Sequence, residues 1–284
     1  MTILGCNHSG VNKMLLMDDE GFLVDSEYKC EGDNKDSIVE ISYVGENVKE
    51  EVNVALTYKG MVASGAWHVI VSDSVEYPTI EVDRGLMPYL SLRTEEDVLV
   101  ASYKVSVHYH DRSLTPPILR IPAKVSLTEI VLGGASLMES DLPLKGDSLK
   151  IEMAGASKAD LDVTGIVKLV EVEMAGANNV LLNCNVENLS VEIGGTGLLG
   201  LKGKAKVADL ELAGVGKVMS EETDGRYAFE ADVANIEMAG TSKLELHCND
   251  ELNVEAVGAG QISYSGNPRI SKSAVGFVKM KQVK

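Results

Sequence analysis

The sequence has few aromatic residues, prolines and cysteines. It contains three Phe and one Trp, and the aromatic residues together make up 5% of its 284 residues. A core must therefore be filled with Val, Leu, Ile, Met and Ala, which suits flat, repetitive stacking better than packing around large rings. The four cysteines are too few for a disulfide scaffold in a chain of this length.

Basic residues and long apolar runs are also scarce. Lys and Arg number 26 against 43 Asp and Glu, which gives a formal net charge of −17. A chain this acidic repels phosphate backbones, so nucleic acid is excluded as an expected partner. No apolar run reaches the length that would span a bilayer. Nothing in the sequence indicates a cofactor.

A short phrase recurs along the chain: IEMAGASK at 151–158 returns as VEMAGANN at 172–179 and IEMAGTSK at 236–243. Aligned on their glycine, the copies centre on Gly65, Gly134, Gly155, Gly176, Gly195, Gly214, Gly240 and Gly258. From the second copy onward the glycines lie 18 to 26 residues apart. Self-similarity at a nearly fixed period indicates a repeat architecture.

Apolar and polar residues alternate on both sides of each repeat glycine. Ile151 and Met153, for example, alternate with Lys150 and Glu152. A period of two predicts strands. Strands in repeats of about 20 residues predict an all-β parallel β-helix (a solenoid), expected to be right-handed, with the glycines at bends. A β-sandwich would explain the alternation but not a glycine at the same phase of every repeat.

Two domains of unequal kind are expected. Residues 51–284 are predicted to form the β-helix, and residues 1–50, charged and irregular in pattern, a cap or tether. The C-terminal FVKMKQVK would supply the other cap that open strand edges require. Cys6 follows TILG, as at the end of a bacterial lipoprotein signal without its basic region. A trimmed signal with a lipidated Cys6 and a chance match both stay open.

Three stretches together resemble a known family. They are VASGAWHVIVSDSVEYPTIEVDRGLMPYLSLRTEEDVLVASYK at 62–104, the serial EMAGASK repeats, and VGAGQISYSGNPRISKSAVGFVKMK at 257–281. The chain resembles the head GIN domain family of putative auto-transporter adhesins, found in Bacteroidetes-type bacteria, over about residues 50–281. The resemblance implies a β-helical protein of the cell envelope or the extracellular space. It implies no catalytic residues.

A column of glutamates is the first candidate site, each three residues before a repeat glycine: Glu152, Glu173, Glu192, Glu211, Glu237 and Glu255. Stacked like charges about 4.8 Å apart cost on the order of 1 kcal/mol per pair in water and several times more in a dry interior. The column is therefore expected to face water. It could attract cations or a basic ligand, although a solvated face that keeps the chain soluble is the simpler interpretation.

Two other clusters could carry chemistry. Asp160 and Asp162 share one side of a strand, as do the acids of β-helical enzymes that bind calcium or cleave glycosidic bonds. The pair is not repeated in neighbouring copies, which favours an exposed strand edge. His108, His110 and Asp111 have zinc-ligand chemistry but no visible further ligand unless His68 or His247 approaches, so a polar strand face is favoured.

Trp67 and the cysteines occupy defined phases of the repeat. Trp67 stands where later copies carry Ser, Asn or Gly, so it is either an exposed ring that stacks on sugar or, as we prefer, a plug at the end of the core. Cys184 and Cys248 lie three repeats apart, too far for a disulfide, and are expected to be separate buried thiols. Cys6 and Cys30 could pair if Cys6 is not lipidated.

The sequence therefore predicts a non-enzymatic, adhesin-like protein of the cell envelope or surface, which presents a rigid face to a glycan or another macromolecule. Membrane contact is expected only through the N-terminal lipid anchor. One alternative is a polysaccharide lyase or hydrolase, which needs convergent acidic or basic residues that the repeats lack, although the long 214–240 interval could hide them. Another is a structural subunit that self-assembles through its open ends.

Overall fold

The computed structural model describes residues 44–109 and 115–283, together with four short strands nearer the N terminus. Within these residues the regular structure is strand, apart from one turn of 3-10 helix, η1 (Met87–Tyr89). The predicted all-β class is confirmed. The described part of the chain contains no helix long and apolar enough to cross a membrane.

The strands that precede the regular repeats are β1 (Thr2–Ile3), β2 (Asn12–Met17), β3 (Leu23–Tyr28), β4 (Val39–Ile41), β5 (Asn47–Glu51), β6 (Gly60–Gly65), β7 (His68–Ser72), β8 (Thr79–Asp83), β9 (Leu90–Glu95), β10 (Val98–Tyr103), β11 (Val107–Tyr109) and β12 (Ile118–Pro122). The strands that follow are β13 (Glu129–Gly134), β14 (Leu137–Ser140), β15 (Lys145–Gly155), β16 (Lys158–Val163), β17 (Gly165–Gly176), β18 (Asn179–Gly195), β19 (Leu198–Gly214), β20 (Lys217–Met219), β21 (Glu222–Thr223), β22 (Arg226–Tyr227), β23 (Phe229–Ser265) and β24 (Arg269–Gln282).

Most of these strands belong to one large mixed sheet. Separate from it are a three-stranded antiparallel sheet of β1, β2 and β3, the pair β4–β11 and the hairpin β21–β22. β5 spans the domain boundary expected between residues 50 and 51 and pairs with β8 in the large sheet. That boundary remains a prediction.

Successive repeats pair in parallel and in phase. The strand β15 pairs with β17 so that Gly155 lies opposite Gly176, and β17 pairs with β18 so that Gly176 lies opposite Gly195. The same register carries Gly195 to Gly214 and Gly214 to Gly240. The large sheet also contains antiparallel pairs, at the end opposite to β24. There β8 pairs with β12, and β9 pairs with β10.

The core is built from columns of equivalent apolar residues. Ile151 lies opposite Val172, which lies opposite Val191, Leu210 and Ile236 in turn, and all five are buried. Each such residue contributes about 1.5–3 kcal/mol when fully buried, so stacking the repeats supplies what one repeat cannot. The alternation read from the sequence thus sets the inward and outward faces of the strands.

The bend glycines are required by two independent constraints. Gly155, Gly176 and Gly195 have φ values of 90°, 103° and 106°, which side-chain-bearing residues rarely adopt. A Cβ at Gly176 would lie 2.5 Å from the carbonyl oxygen of Gly155. That oxygen accepts a 2.7 Å hydrogen bond from the amide of Ala177, so it cannot move aside without breaking the bond. Backbone of neighbouring repeats therefore touches where a side chain would stand.

The long interval between Gly214 and Gly240 holds the hairpin of β21 and β22. Tyr227, in the second strand of this hairpin, is buried. Just after the hairpin, the amide of Phe229 donates a hydrogen bond to Ser220 Oγ at 2.8 Å. β19 then pairs directly with β23, with Gly203 opposite Phe229. The hairpin is thus an insertion that leaves the stacking of the sheet intact.

Two adjacent glycines in β18 provide a test of the bend constraint. We expect Gly195→Ala to destabilise the protein by about 2–4 kcal/mol, because it combines a positive φ with a Cβ 2.9 Å from the carbonyl oxygen of Gly176. Gly194→Ala is the matched control, since its Cβ would find its nearest neighbour 3.8 Å away and equivalent repeats already carry Ala there. Urea unfolding of both variants measures the difference, and equal stabilities would contradict the constraint.

Candidate functional site

The predicted glutamate column lies in register on the outward side of the large sheet. Glu152 is opposite Glu173, which is followed by Glu192, Glu211 and Glu237 in successive strands. Glu255, three residues before Gly258, is exposed and lies opposite Ser273 of β24. The register of the strands therefore aligns these carboxylates along one face, which we call the glutamate face.

The expectation that this whole column faces water is wrong at Glu152, which is only 7% exposed. The ammonium of Lys150 lies 2.8 Å from Glu152 Oε1 and 3.0 Å from Glu173 Oε1. Burial lowers the pKa of Lys150, but the hydrogen bonds that its ammonium donates to Glu152 and then to Glu173 outweigh burial and hold that pKa above its usual range. One cation thus compensates two stacked acids at the covered end of the face, while Glu192, Glu211 and Glu237 are exposed.

In the strands β10, β6 and β13, which continue the sheet beyond Glu152, the same outward column carries apolar residues. Val100, Val62 and Val131 lie opposite one another in that order, and Val131 lies opposite Glu152. These three valines are buried and form a cluster of their own, apart from the main core. The aligned repeats carried the signal that sequence reasoning missed, since Val62 and Val131 occupy the position of the later glutamates.

A shallow furrow of about 140 Å³ runs beside the glutamates. Its floor includes the next outward column, where each repeat carries only a small residue: Gly133, Ala154, Ala175 and Gly194. Glu152, Glu173 and Glu192 form one wall. Small residues keep the furrow open and let a ligand approach the backbone of the sheet.

The two aspartates of β16 have different surroundings. Asp160 is exposed and lies between Glu139 and Leu181 in register. Asp162 Oδ1 accepts hydrogen bonds from the amide of Thr164 at 2.9 Å and from its hydroxyl at 2.6 Å. Asp162 thereby shapes the turn that follows its strand, which is a structural task.

The histidine candidates are only partly described. His108 lies in β11, opposite Glu40 of β4, while His110 and Asp111 fall outside the described residues. His68 Nε2 instead contacts Glu139 Oε2 at 2.7 Å, and His247 bonds Ser265 and Asn249. The described residues contain no cluster of three potential metal ligands.

Trp67 is buried, with 1% of its surface exposed, so the interpretation of its ring as a sugar-stacking platform is wrong. Its Nε1 donates to the carbonyl of Ser64 at 3.2 Å, and its ring lies 5.8 Å from that of Tyr103. The ring therefore belongs to the core.

The cysteines divide into two groups. Cys184 and Cys248 are free and buried, as expected. Burial raises the pKa of the Cys184 thiol to about 12 and that of Cys248 to about 11, so both stay protonated at neutral pH. The lipidation candidate Cys6 and its proposed partner Cys30 lie outside the described residues.

Comparison with known proteins identifies the family. The family model described as "Putative auto-transporter adhesin, head GIN domain" matches residues 57–268, most of the chain. The chain belongs to the head GIN domain family. The comparison with curated proteins gave no match.

Solved structures share the fold of this head GIN domain. A putative adhesin from Parabacteroides merdae has 21% identity and a TM-score of 0.70 over 86% of this chain and 99% of its own. A protein from Parabacteroides distasonis described as a putative lipid binding protein has 23% identity and a TM-score of 0.68, over 87% and 100%. A putative adhesin from Bacteroides fragilis has 20% identity and a TM-score of 0.58, over 84% and 99%. At these identities the similarity concerns the fold alone.

The bridge formed by Lys150 can be tested by removing it. We expect Lys150→Met to lower the free energy of unfolding by about 2 kcal/mol at pH 7, because Glu152 and Glu173 then face each other without their shared cation. In the unchanged protein the raised pKa means that the contribution of Lys150 is fully present below its ordinary value of 10.5 and is lost as the pH rises beyond it.

Chemical denaturation at pH 7 measures this effect. Lys168→Met is the matched control, because Lys168 forms a 2.6 Å ion pair with Asp147 in which both side chains are exposed. We expect that control to change stability little. Equal losses for the two variants would contradict a special role for Lys150.

Proposed function

We propose that the stacked repeats of this head GIN domain form a right-handed parallel β-helix. The support is that strands before and after each bend pair in phase with the next repeat, as in the pairs β17–β18 and β18–β19. Connections between parallel strands of one sheet are right-handed in nearly all proteins. Such a rod is stiff, and its lateral faces repeat every 4.8 Å or so along the axis.

On this scaffold, we propose a non-enzymatic, adhesin-like function at the cell envelope or surface, with the glutamate face and its furrow as the binding surface. The observation that carries the proposal is the row of exposed carboxylates beside an unbroken row of Gly and Ala. Carboxylates accept strong hydrogen bonds from hydroxyl groups, and small residues let a flat ring lie against the strands. A periodic surface of this kind suits a polymer better than a single small molecule.

The charge of the face narrows the class of polymer. Glu192, Glu211 and Glu237 are exposed and adjacent in register, in a chain with a net charge of −17. An anionic polysaccharide would be repelled by this surface. We therefore propose a neutral or cationic glycan as the ligand.

Two other functions have weaker support. One structural neighbour is described as a putative lipid binding protein, but an acyl chain favours a deep apolar cavity, whereas the furrow described above is shallow and holds only about 140 Å³. A polysaccharide-degrading enzyme would need two cooperating acids. Of the pair Asp160 and Asp162, the carboxylate of Asp162 is already hydrogen-bonded to Thr164 in the turn that follows the strand. Such an enzyme would cleave the polymer in the experiment that follows.

Affinity electrophoresis tests the proposal. The protein is run through native gels cast with neutral polysaccharides, with a chitosan gel as the cationic case, and the polymer is then stained. We expect retardation with intact polymer in at least one gel. The variant Glu192→Gln with Glu211→Gln and Glu237→Gln should lose at least tenfold in affinity, because its amides are weaker acceptors.

The matched control carries the same charge change on other exposed glutamates: Glu187→Gln with Glu221→Gln and Glu222→Gln. Retardation kept in this control and lost in the first variant supports the glutamate face. Equal effects in both variants would place binding elsewhere. Cleared zones would overturn the non-enzymatic assignment, and free migration in every gel would overturn the glycan ligand.

A further inference from the structure

The C-terminal strand leaves one end of the large sheet open. Among the strands that the structure describes, β24 pairs only with β23, from Glu251 opposite Arg269 to Tyr264 opposite Gln282. Two apolar side chains at its bend project into solvent, with Phe277 90% exposed and Val275 70% exposed, while Val278 and Met280 pack against the core. A strand of this length with one unpaired edge is a template on which another chain can add strands.

This end is basic although the chain as a whole is acidic. β24 contains Arg269, Lys272, Lys279 and Lys281 and no acidic residue, and Arg269 forms an ion pair with Glu251 of β23. Lys272 lies opposite the buried Val254, and its ammonium donates to the carbonyl of Val278 at 2.9 Å, across the end of the core. A cation over the core discourages indiscriminate strand addition and favours an acidic surface as partner.

The opposite end of the sheet is acidic. Its two terminal strands are β9, which pairs with β10, and β5, which pairs with β8; no further partner is seen among the described strands. Exposed acids on these strands and on the turn after β9 outnumber the cations there, which are Lys49 and Arg93, the latter paired with Glu95. The acids are Glu50, Glu51, Glu95, Glu96 and Asp97. Asp83 accepts hydrogen bonds from the amides of Gly45 and Gly85 at 2.9 Å each, which fixes the segment that leads into β5.

The acidic end contains a hollow, and β24 carries an exposed aromatic ring. A hollow of about 340 Å³ opens between β5 and β9, lined by Glu50 and Glu51 and by the apolar side chains of Ile80, Met87, Leu90 and Leu92. Phe277 projects from the bend of β24, between an arm of eight residues (269–276) and an arm of five (278–282). These arms are long enough to pair with the six residues of β9 and the five of β5.

We propose that the β24 end of one molecule docks on the β5–β9 end of a second copy, with the cations of β24 against the acids and Phe277 over the hollow. Docking β24 against another β24 would oppose cation to cation, so a twofold dimer through this edge is disfavoured. A head-to-tail contact is heterologous and does not close, so the copies would form open, salt-sensitive chains. This inference does not depend on the glycan proposal.

Sedimentation velocity of the full chain, over a range of concentrations at low and high salt, tests the contact. We expect association that weakens as salt is added. The tail variant, Lys279→Glu with Lys281→Glu, and the head variant, Glu50→Lys with Glu51→Lys, should each associate at least tenfold more weakly. An equimolar mixture of the two should associate again, because both junctions in the mixture are complementary.

Matched controls carry the same charge changes away from the ends. Lys158→Glu with Lys217→Glu alters the column of Lys279 in inner repeats, and Glu187→Lys with Glu222→Lys alters other exposed acids. Circular dichroism confirms that each variant is folded. Association kept in the controls and restored in the mixture supports the contact. A monomeric unmodified protein at every concentration, a head variant that still associates, or a mixture without rescue would each overturn it.

Discussion

The structure depends on the close approach of backbone to backbone at the bend glycines. In successive repeats the residue after the glycine donates its amide to the glycine carbonyl of the repeat before, as Ala156 does to Gly134 and Ala177 to Gly155, at 2.7 Å in both cases. The space that a side chain would occupy is filled by that carbonyl. Each repeat must therefore place a glycine at this phase, and every other column is positioned relative to it.

The outward columns follow from this constraint. Once the glycines are in register, the residues three positions earlier must stack, whatever their charge. Where the column is exposed, the chain tolerates stacked glutamates. Where it is covered, the composition changes to Val62, Val100 and Val131, or a lysine is placed between two acids. The charged face and the basic and acidic ends are thus separate features of one scaffold.

The sequence was sufficient for features that depend on periodicity. Alternation predicted the strands, the repeated glycine predicted the bends, and the fixed spacing predicted that the glutamates align. It was not sufficient where distant segments decide the environment: the burial of Glu152 depends on what covers its end of the face. The antiparallel strands β8 and β9 do not follow the repeat, and the hairpin β21–β22 lay hidden in the interval between Gly214 and Gly240. For Trp67, its position in the repeat favoured a buried ring over an exposed one, but the sequence alone did not distinguish the two.

Hydrogen exchange at the bends tests the central claim most directly. The amides of Ala135, Ala156, Ala177, Thr196 and Val215 each donate to the glycine carbonyl of the neighbouring repeat, at 2.7 to 2.8 Å. If this ladder holds the repeats together, these amides should exchange only when the whole domain unfolds, although they lie in bends. Exchange as fast as in an ordinary exposed turn, while the strands stay protected, would contradict the account.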